Sequence, residues 1–231
     1  MTKFYDEFIR TTVAHNPDEI DAWASKIRSI QYGTGRNNTF SIGIIYNFAP
    51  VGSVRVCVGP HCLVYELPPH PELPNLPELP KPLDRFLIDD MYTFVGTQVE
   101  LNLEKLARDY GICRWDINAV DLGTVAATLY SRSDLKGAGL KQLAGLVLDE
   151  TVELSHDNFK RTLDKEMEVE IRQNLRKAMD AMLELEKESD FLSNLEKKIE
   201  YDCITTFVYF CLGEFLQASH FDSEHVFAVV N

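Results

Sequence analysis

Three short runs rich in apolar and β-branched residues, 39–46, 53–58 and 62–67, follow one another across Ala49-Pro50-Val51-Gly52 and Gly59-Pro60. Links this short cannot carry the crossover that parallel strands need, so the runs pair as an antiparallel meander. From residue 83 the pattern changes. A short helix near 84–89 precedes a strand at Tyr92-Thr93-Phe94-Val95-Gly96, then a helix over 99–109, a strand near 118–121, and helices over 122–130 and 138–148. A meander followed by alternating strands and helices predicts an α/β protein, a mixed sheet flanked by helices. Upstream, residues 3–13 carry β-branched and aromatic side chains. Asn16-Pro17-Asp18-Glu19 then supplies an N-cap, a proline at the first helical position and acids in the first turn. The helix that follows places Ile20, Trp23, Ile27 and Ile30 on one face and ends near Tyr32-Gly33-Thr34-Gly35.

The 231 residues suit a single domain with a real core. With 23 basic against 36 acidic side chains, the formal charge is −13. Nucleic-acid binders gain most of their affinity from Lys and Arg against phosphate, so this balance disfavours that class, and no basic run offsets it. Cys57, Cys62, Cys113, Cys203 and Cys211 form no C-x-x-C pair and no metal spacing with histidine, and they are expected to be reduced thiols. His15, His61, His70, His156, His220 and His225 are scattered without zinc spacing. Neither a signal peptide nor a membrane span is evident, and a cytoplasmic or nuclear protein is expected. Residues 68–82 repeat proline and leucine with a period of three, the pitch of polyproline II. This segment reads as a stiff connector or as a docking ligand for a proline-binding domain.

Phe94-Val95-Gly96-Thr97-Gln98-Val99-Glu100-Leu101-Asn102-Leu103-Glu104-Lys105-Leu106 with Asp109-Tyr110-Gly111-Ile112 resembles the second motif of the Werner-type and RNase D-type 3′-5′ exonucleases. Ala119-Val120-Asp121-Leu122 and Ala138-Gly139-Leu140-Lys141-Gln142-Leu143-Ala144 look like its downstream blocks. Ser41-Ile42-Gly43-Ile44-Ile45-Tyr46-Asn47-Phe48 with Val54-Arg55-Val56-Cys57-Val58-Gly59 looks like its first strand pair, and Glu200-Tyr201-Asp202-Cys203-Ile204-Thr205-Thr206-Phe207 like its last motif helix. The ordered blocks cover about residues 4–157 and 189–218, and the short plant Werner-exonuclease-like proteins are the most similar. The resemblance implies a ribonuclease H-like exonuclease fold. It also implies a site of four acids and a tyrosine, in which two divalent cations activate water at a scissile phosphate.

On that alignment the four acid positions hold Ile45, Asn47, Asn102 and Thr205, while Tyr201 matches the tyrosine. The formal ligand charge falls from −4 to zero, which cannot hold two adjacent divalent ions against their mutual repulsion. Asp202, Glu100 and Asp89-Asp90 are the nearby acids, but residues 39–48 contain no Asp or Glu, so none restores the first-strand pair. Asp121 matches a position outside the catalytic set and is expected to be structural. Neither a metal nor any other cofactor is expected.

Between the Ala138 block and Tyr201 the family has a short connection, whereas this chain has a charged stretch at 157–189. Phe159, Leu163, Met167, Ile171, Leu175, Met179 and Met182 recur there at steps of four and then three, the stripe of an inserted amphipathic helix. The stripe is either a surface for a protein partner or a second copy, rich in adaptable methionine, or part of the chain's own core. The expectation is therefore a catalytically inactive exonuclease-like protein serving as an interaction or regulatory module. The rival is nucleic-acid binding in the former groove, or divergent metal-dependent cleavage, since lost carboxylates also remove repulsion of phosphate.

Overall fold

Asn16 opens the first helix. Its Oδ1 accepts the Glu19 N–H at 3.1 Å, while the Glu19 carboxylate accepts the His15 N–H at 2.7 Å. This is a variant of the reciprocal cap that serine and glutamate form at helix starts. The computed structural model describes residues 9–33, 40–47, 52–67, 78–112, 117–149, 165–188, 191 and 194–218. Its elements are β1 (Arg10–Ala14), α1 (Pro17–Gly33), β2 (Phe40–Asn47), β3 (Ser53–Val58), β4 (His61–Glu66), α2 (Lys81–Leu87) and β5 (Tyr92–Gly96). There follow α3 (Val99–Tyr110), β6 (Ala119–Asp121), α4 (Leu122–Leu129), α5 (Leu140–Leu148), α6 (Lys165–Lys187) and α7 (Leu195–Ala218).

The sheet runs β1-β4-β3-β2-β5-β6. β2, β3 and β4 form the expected antiparallel meander, while β5 pairs parallel to β2, β6 parallel to β5, and β1 parallel to β4. The fold is thus a mixed α/β sheet flanked by helices. The order of β2 to β6 is that of a ribonuclease H-like fold, with β1 added at the β4 edge. Side chains alternate between two cores, as strand geometry requires. Val54, Val56, Leu63, Tyr65 and Phe94 join α1, α2 and α3 on one face, whereas Cys57, Cys62, Val64 and Val95 join α4, α5, α6 and α7 on the other.

Several expectations shift. Ile20, Trp23 and Ile27 are buried in α1, but Ile30 is 42% exposed, so the stripe ends a turn before the helix does. α2 starts at Lys81, three residues earlier than its apolar pattern predicts, because Pro82 lies in its first turn, where a missing N–H costs nothing. Cys57 and Cys62 are disulfide-bonded rather than reduced. They are direct cross-strand partners in β3 and β4, with Cα atoms 4.2 Å apart, a proximity that counting cysteines cannot reveal. Cys203 and Cys211 are free and buried. Residues 68–77 of the proline-rich segment, Cys113, the 157–164 part of the inserted stretch with Phe159 and Leu163, and residues 219–231 lie outside the described residues.

Asp121 has the structural role expected of it. Its Oδ1 accepts the Thr124 N–H at 3.0 Å and caps α4. Its Oδ2 accepts the Gln98 N–H at 2.6 Å, at a residue held in the left-handed region with φ 53°. One carboxylate thereby ties the start of α3 to the start of α4. Gly123 follows because a Cβ there would meet the Leu135 carbonyl oxygen at 2.7 Å.

Candidate functional site

α7 lies across β2, β3, β4 and β5 on one side and against α6 on the other. Its residues therefore divide between sheet and helix according to their phase. Asp202 reaches the sheet, where its Oδ2 lies 2.9 Å from Arg55 Nη2 of β3, the two side chains being 13% and 7% exposed. Arg55 is in phase with Cys57 and so points to the α7 face, and it is the direct cross-strand partner of Ile45. Its Nε and Nη1 are buried with no hydrogen-bond partner among the described residues.

Tyr201 and Thr205, one turn apart, contact α6. The Tyr201 hydroxyl donates to Glu186 Oε1 at 2.7 Å, Lys141 Nζ lies 2.7 Å from Glu186 Oε2, and the Tyr201 ring packs on Phe191 at 4.9 Å. Burial, then the Glu186 hydrogen bond and charge, push the Tyr201 hydroxyl far above its usual range, so its proton stays on the phenol. The Thr205 hydroxyl is 2.8 Å from the Tyr201 carbonyl oxygen and 3.8 Å from Met182 Sδ. Thr206, fully buried, donates to the Asp202 carbonyl at 2.6 Å. Both threonines thus satisfy their hydroxyls within the helix.

The remaining positions that the resemblance aligns with ligands sit on neighbouring elements. Asn102 is half-buried in the first turn of α3, its N–H bonded to the Gln98 carbonyl at 3.1 Å. Ile45 and Asn47 lie on β2 opposite Arg55 and Ser53. Among the nearby acids, Glu100 is exposed, Asp89 accepts the Met91 N–H at 3.1 Å to shape the turn before β5, and Asp202 is ion-paired. Among the described residues, no group of three or more His, Cys, Asp or Glu is placed to hold a metal ion. Hard divalent cations need several oxygen ligands, and here a guanidinium occupies Asp202, an acid that α7 brings to the sheet, so the described residues do not fit a two-metal centre. Nor is a thiolate nucleophile present in α7. Burial pushes the Cys203 thiol up to about 11 and raises Cys211 further.

Of the two readings of the inserted stripe, packing within the chain accounts for its described residues. Leu175 and Met182 are at most 1% exposed, and Met167, Ile171 and Met179 pack against the same core, beside α5 and α7. Leu175 and Met182 are thus covered by their own chain, and the other three are partly covered by it. α7 explains why, since it is apolar on the side away from the sheet as well and needs a cover. Arg172 fastens the other end of α6: its guanidinium donates to the Val147 carbonyl and to Glu168, and lies 5.0 Å from the Phe215 ring centroid. The outward face of α6 retains Val169 and Leu183, 52% and 40% exposed.

Sequence reasoning missed Arg55 and Glu186. Arg55 had a visible signal, a lone charge inside Ser-Val-Arg-Val-Cys-Val, whose flanking residues all read as buried strand. Glu186 had none, being one of many acids on a charged helix.

Two carboxylates respond oppositely to pH. Hydrogen bonds from Lys141 and then Tyr201 hold Glu186 below its usual range. The stability it contributes is therefore present above the unfolded value of about 4.3 and is lost as pH falls through the lower folded value. Burial raises Asp202, against the opposing charges of Arg55 and Lys198. Between its ordinary and raised values the folded chain holds an extra proton, so there stability falls as pH rises. Glu186→Gln should accordingly flatten the acid side of the stability curve, measured by thermal melting from pH 3 to 7. Parallel curves for the variant and the parent would mean that the Lys141–Glu186–Tyr201 network contributes nothing.

No protein-family model matches the chain, and no curated protein matches it. Solved structures of the EXD2 exonuclease domain are similar to it. The form soaked in Mg is 22% identical over 81% of this chain and 94% of that chain, with a TM-score of 0.42. The form soaked in Mn and dGMP is 21% identical over 82% and 95%, with a TM-score of 0.42. A third crystal structure of that domain is 22% identical over 81% and 94%, with a TM-score of 0.40.

Proposed function

We propose that the chain is a catalytically inactive relative of the 3′-5′ exonucleases, closest to the Werner-type branch, that acts as a protein-interaction or regulatory module. One observation carries the reading. Asp202, the acid that α7 directs to the sheet, is paired with Arg55 at 2.9 Å, opposite the position where the resemblance would put the first metal-binding acid. A site with Ile45, Asn47, Asn102 and Thr205 at the ligand positions and a guanidinium beside them has no means of gathering two divalent cations. Tyr201, which the resemblance assigns to positioning water, instead donates its hydroxyl hydrogen bond to Glu186. A partner meeting α6 would find its outward face, with Val169 and Leu183, rather than the buried Leu175 and Met182.

The test is digestion of end-labelled single-stranded and duplex DNA and RNA with Mg²⁺ or Mn²⁺. The proposal expects no shortening beyond that seen with chelator. Metal-dependent shortening that is lost in Asp202→Asn or Tyr201→Phe would overturn it.

A further inference from the structure

We infer that the Arg55 guanidinium is the resident cation of this site, standing in for divalent metal and fastening α7 to the sheet through Asp202. This deepens the inactive reading above by naming the group that closes the site. Register places Arg55 opposite Ile45, in the middle of β3, with β2 on one side and β4 on the other. Its side chain is 7% exposed and makes its described polar contact through Nη2 alone, leaving Nε and Nη1 without a hydrogen-bond partner among the described residues. A surface guanidinium would solvate all its donors, so one held this way has been accepted for its charge rather than for a full set of hydrogen bonds.

Guanidinium is also the cation best suited to permanent burial. It is weakly hydrated and does not deprotonate in proteins, whereas a magnesium-like ion must keep a near-complete oxygen shell. With Asp202 neutralised from the β3 side, an entering divalent cation meets a fixed positive charge and a carboxylate that is already paired. α7 also contacts β2, β4 and β5, so the ion pair lies within the surface where the helix seats on the sheet.

The test is a double-substitution cycle read by thermal melting of the full chain: Arg55→Met, Asp202→Leu, and the two together, each with chelator and with millimolar Mn²⁺. Removing one partner strands a buried charge, and each single variant should melt roughly 10 °C lower. The double variant should regain most of that loss, and neither chelator nor Mn²⁺ should move the parent. Should a single variant fail to fold, Arg55→Lys, which keeps the charge and loses the fork, is expected to melt between the parent and Arg55→Met. Additive losses in the double variant would overturn the inference, as would an Mn²⁺-induced rise in the parent that Asp202→Leu abolishes. Digestion by the parent with strong coupling intact would instead remove the inactive reading and leave the ion pair in place. Additive losses without digestion would remove the ion-pair inference alone.

Discussion

Replacing Leu175 with alanine should lower the unfolding free energy by about 2–5 kcal/mol, while Val169→Ala on the same helix should change it by less than about 0.5 kcal/mol. Leu175 is fully buried and Val169 is 52% exposed, although they lie less than two turns apart in α6. The contrast follows from what covers the helix. Leu175, Ala178, Met182 and Leu185 fill the space over α7 and α5, and the neighbouring backbone is too well packed to collapse onto the void a truncation leaves. Urea denaturation of the two variants measures the difference, with the slope checked for an unchanged unfolding transition. If Leu175→Ala were as mild as Val169→Ala, the stripe would not be core, and the partner-surface reading of the inserted stretch would return.

Phe86→Ala should cost about 3–5 kcal/mol. Phe86 is 2% exposed, and its ring lies 5.3 Å from Trp23 of α1, 4.7 Å from Tyr92 and 6.0 Å from Phe94 of β5, so one side chain joins two helices to the sheet. Such ring pairs add to the plain burial term, and truncation to alanine removes three of them together. Phe86→Leu, which keeps most of the volume, should recover about half of the loss, since the transfer and cavity terms both shrink. Equal losses for Ala and Leu would show that ring geometry, not filled volume, holds this core.

Much of the fold was legible because local rules agree with the global arrangement. The short links at 47–52 and 59–60 forced β2, β3 and β4 into a meander, and the Asn16-Pro17 start fixed α1 nearly to the residue. What failed to show was register. The Cys57–Cys62 bond and the Arg55–Asp202 pair both depend on which residues face each other across strands or between strand and helix, and one sequence does not encode that in any local pattern. The positions that the resemblance aligns with ligands could be named from the sequence, but the contacts made around them could not. The sequence offered no partner for Tyr201, and the structure supplies Glu186, fifteen residues away on α6. The amphipathic stripe of α6 was equally visible, yet periodicity reveals only that a face is apolar, and not whose surface lies against it.

Titration calorimetry with Mn²⁺ on the parent protein tests the central claim most directly, because metal capture is upstream of any cleavage. A chain whose site is closed by Arg55 and Asp202 should give no binding heat beyond dilution at millimolar Mn²⁺. Saturable binding of two ions per chain, lost in Asp202→Asn, would contradict the account and make Asp202 a metal ligand.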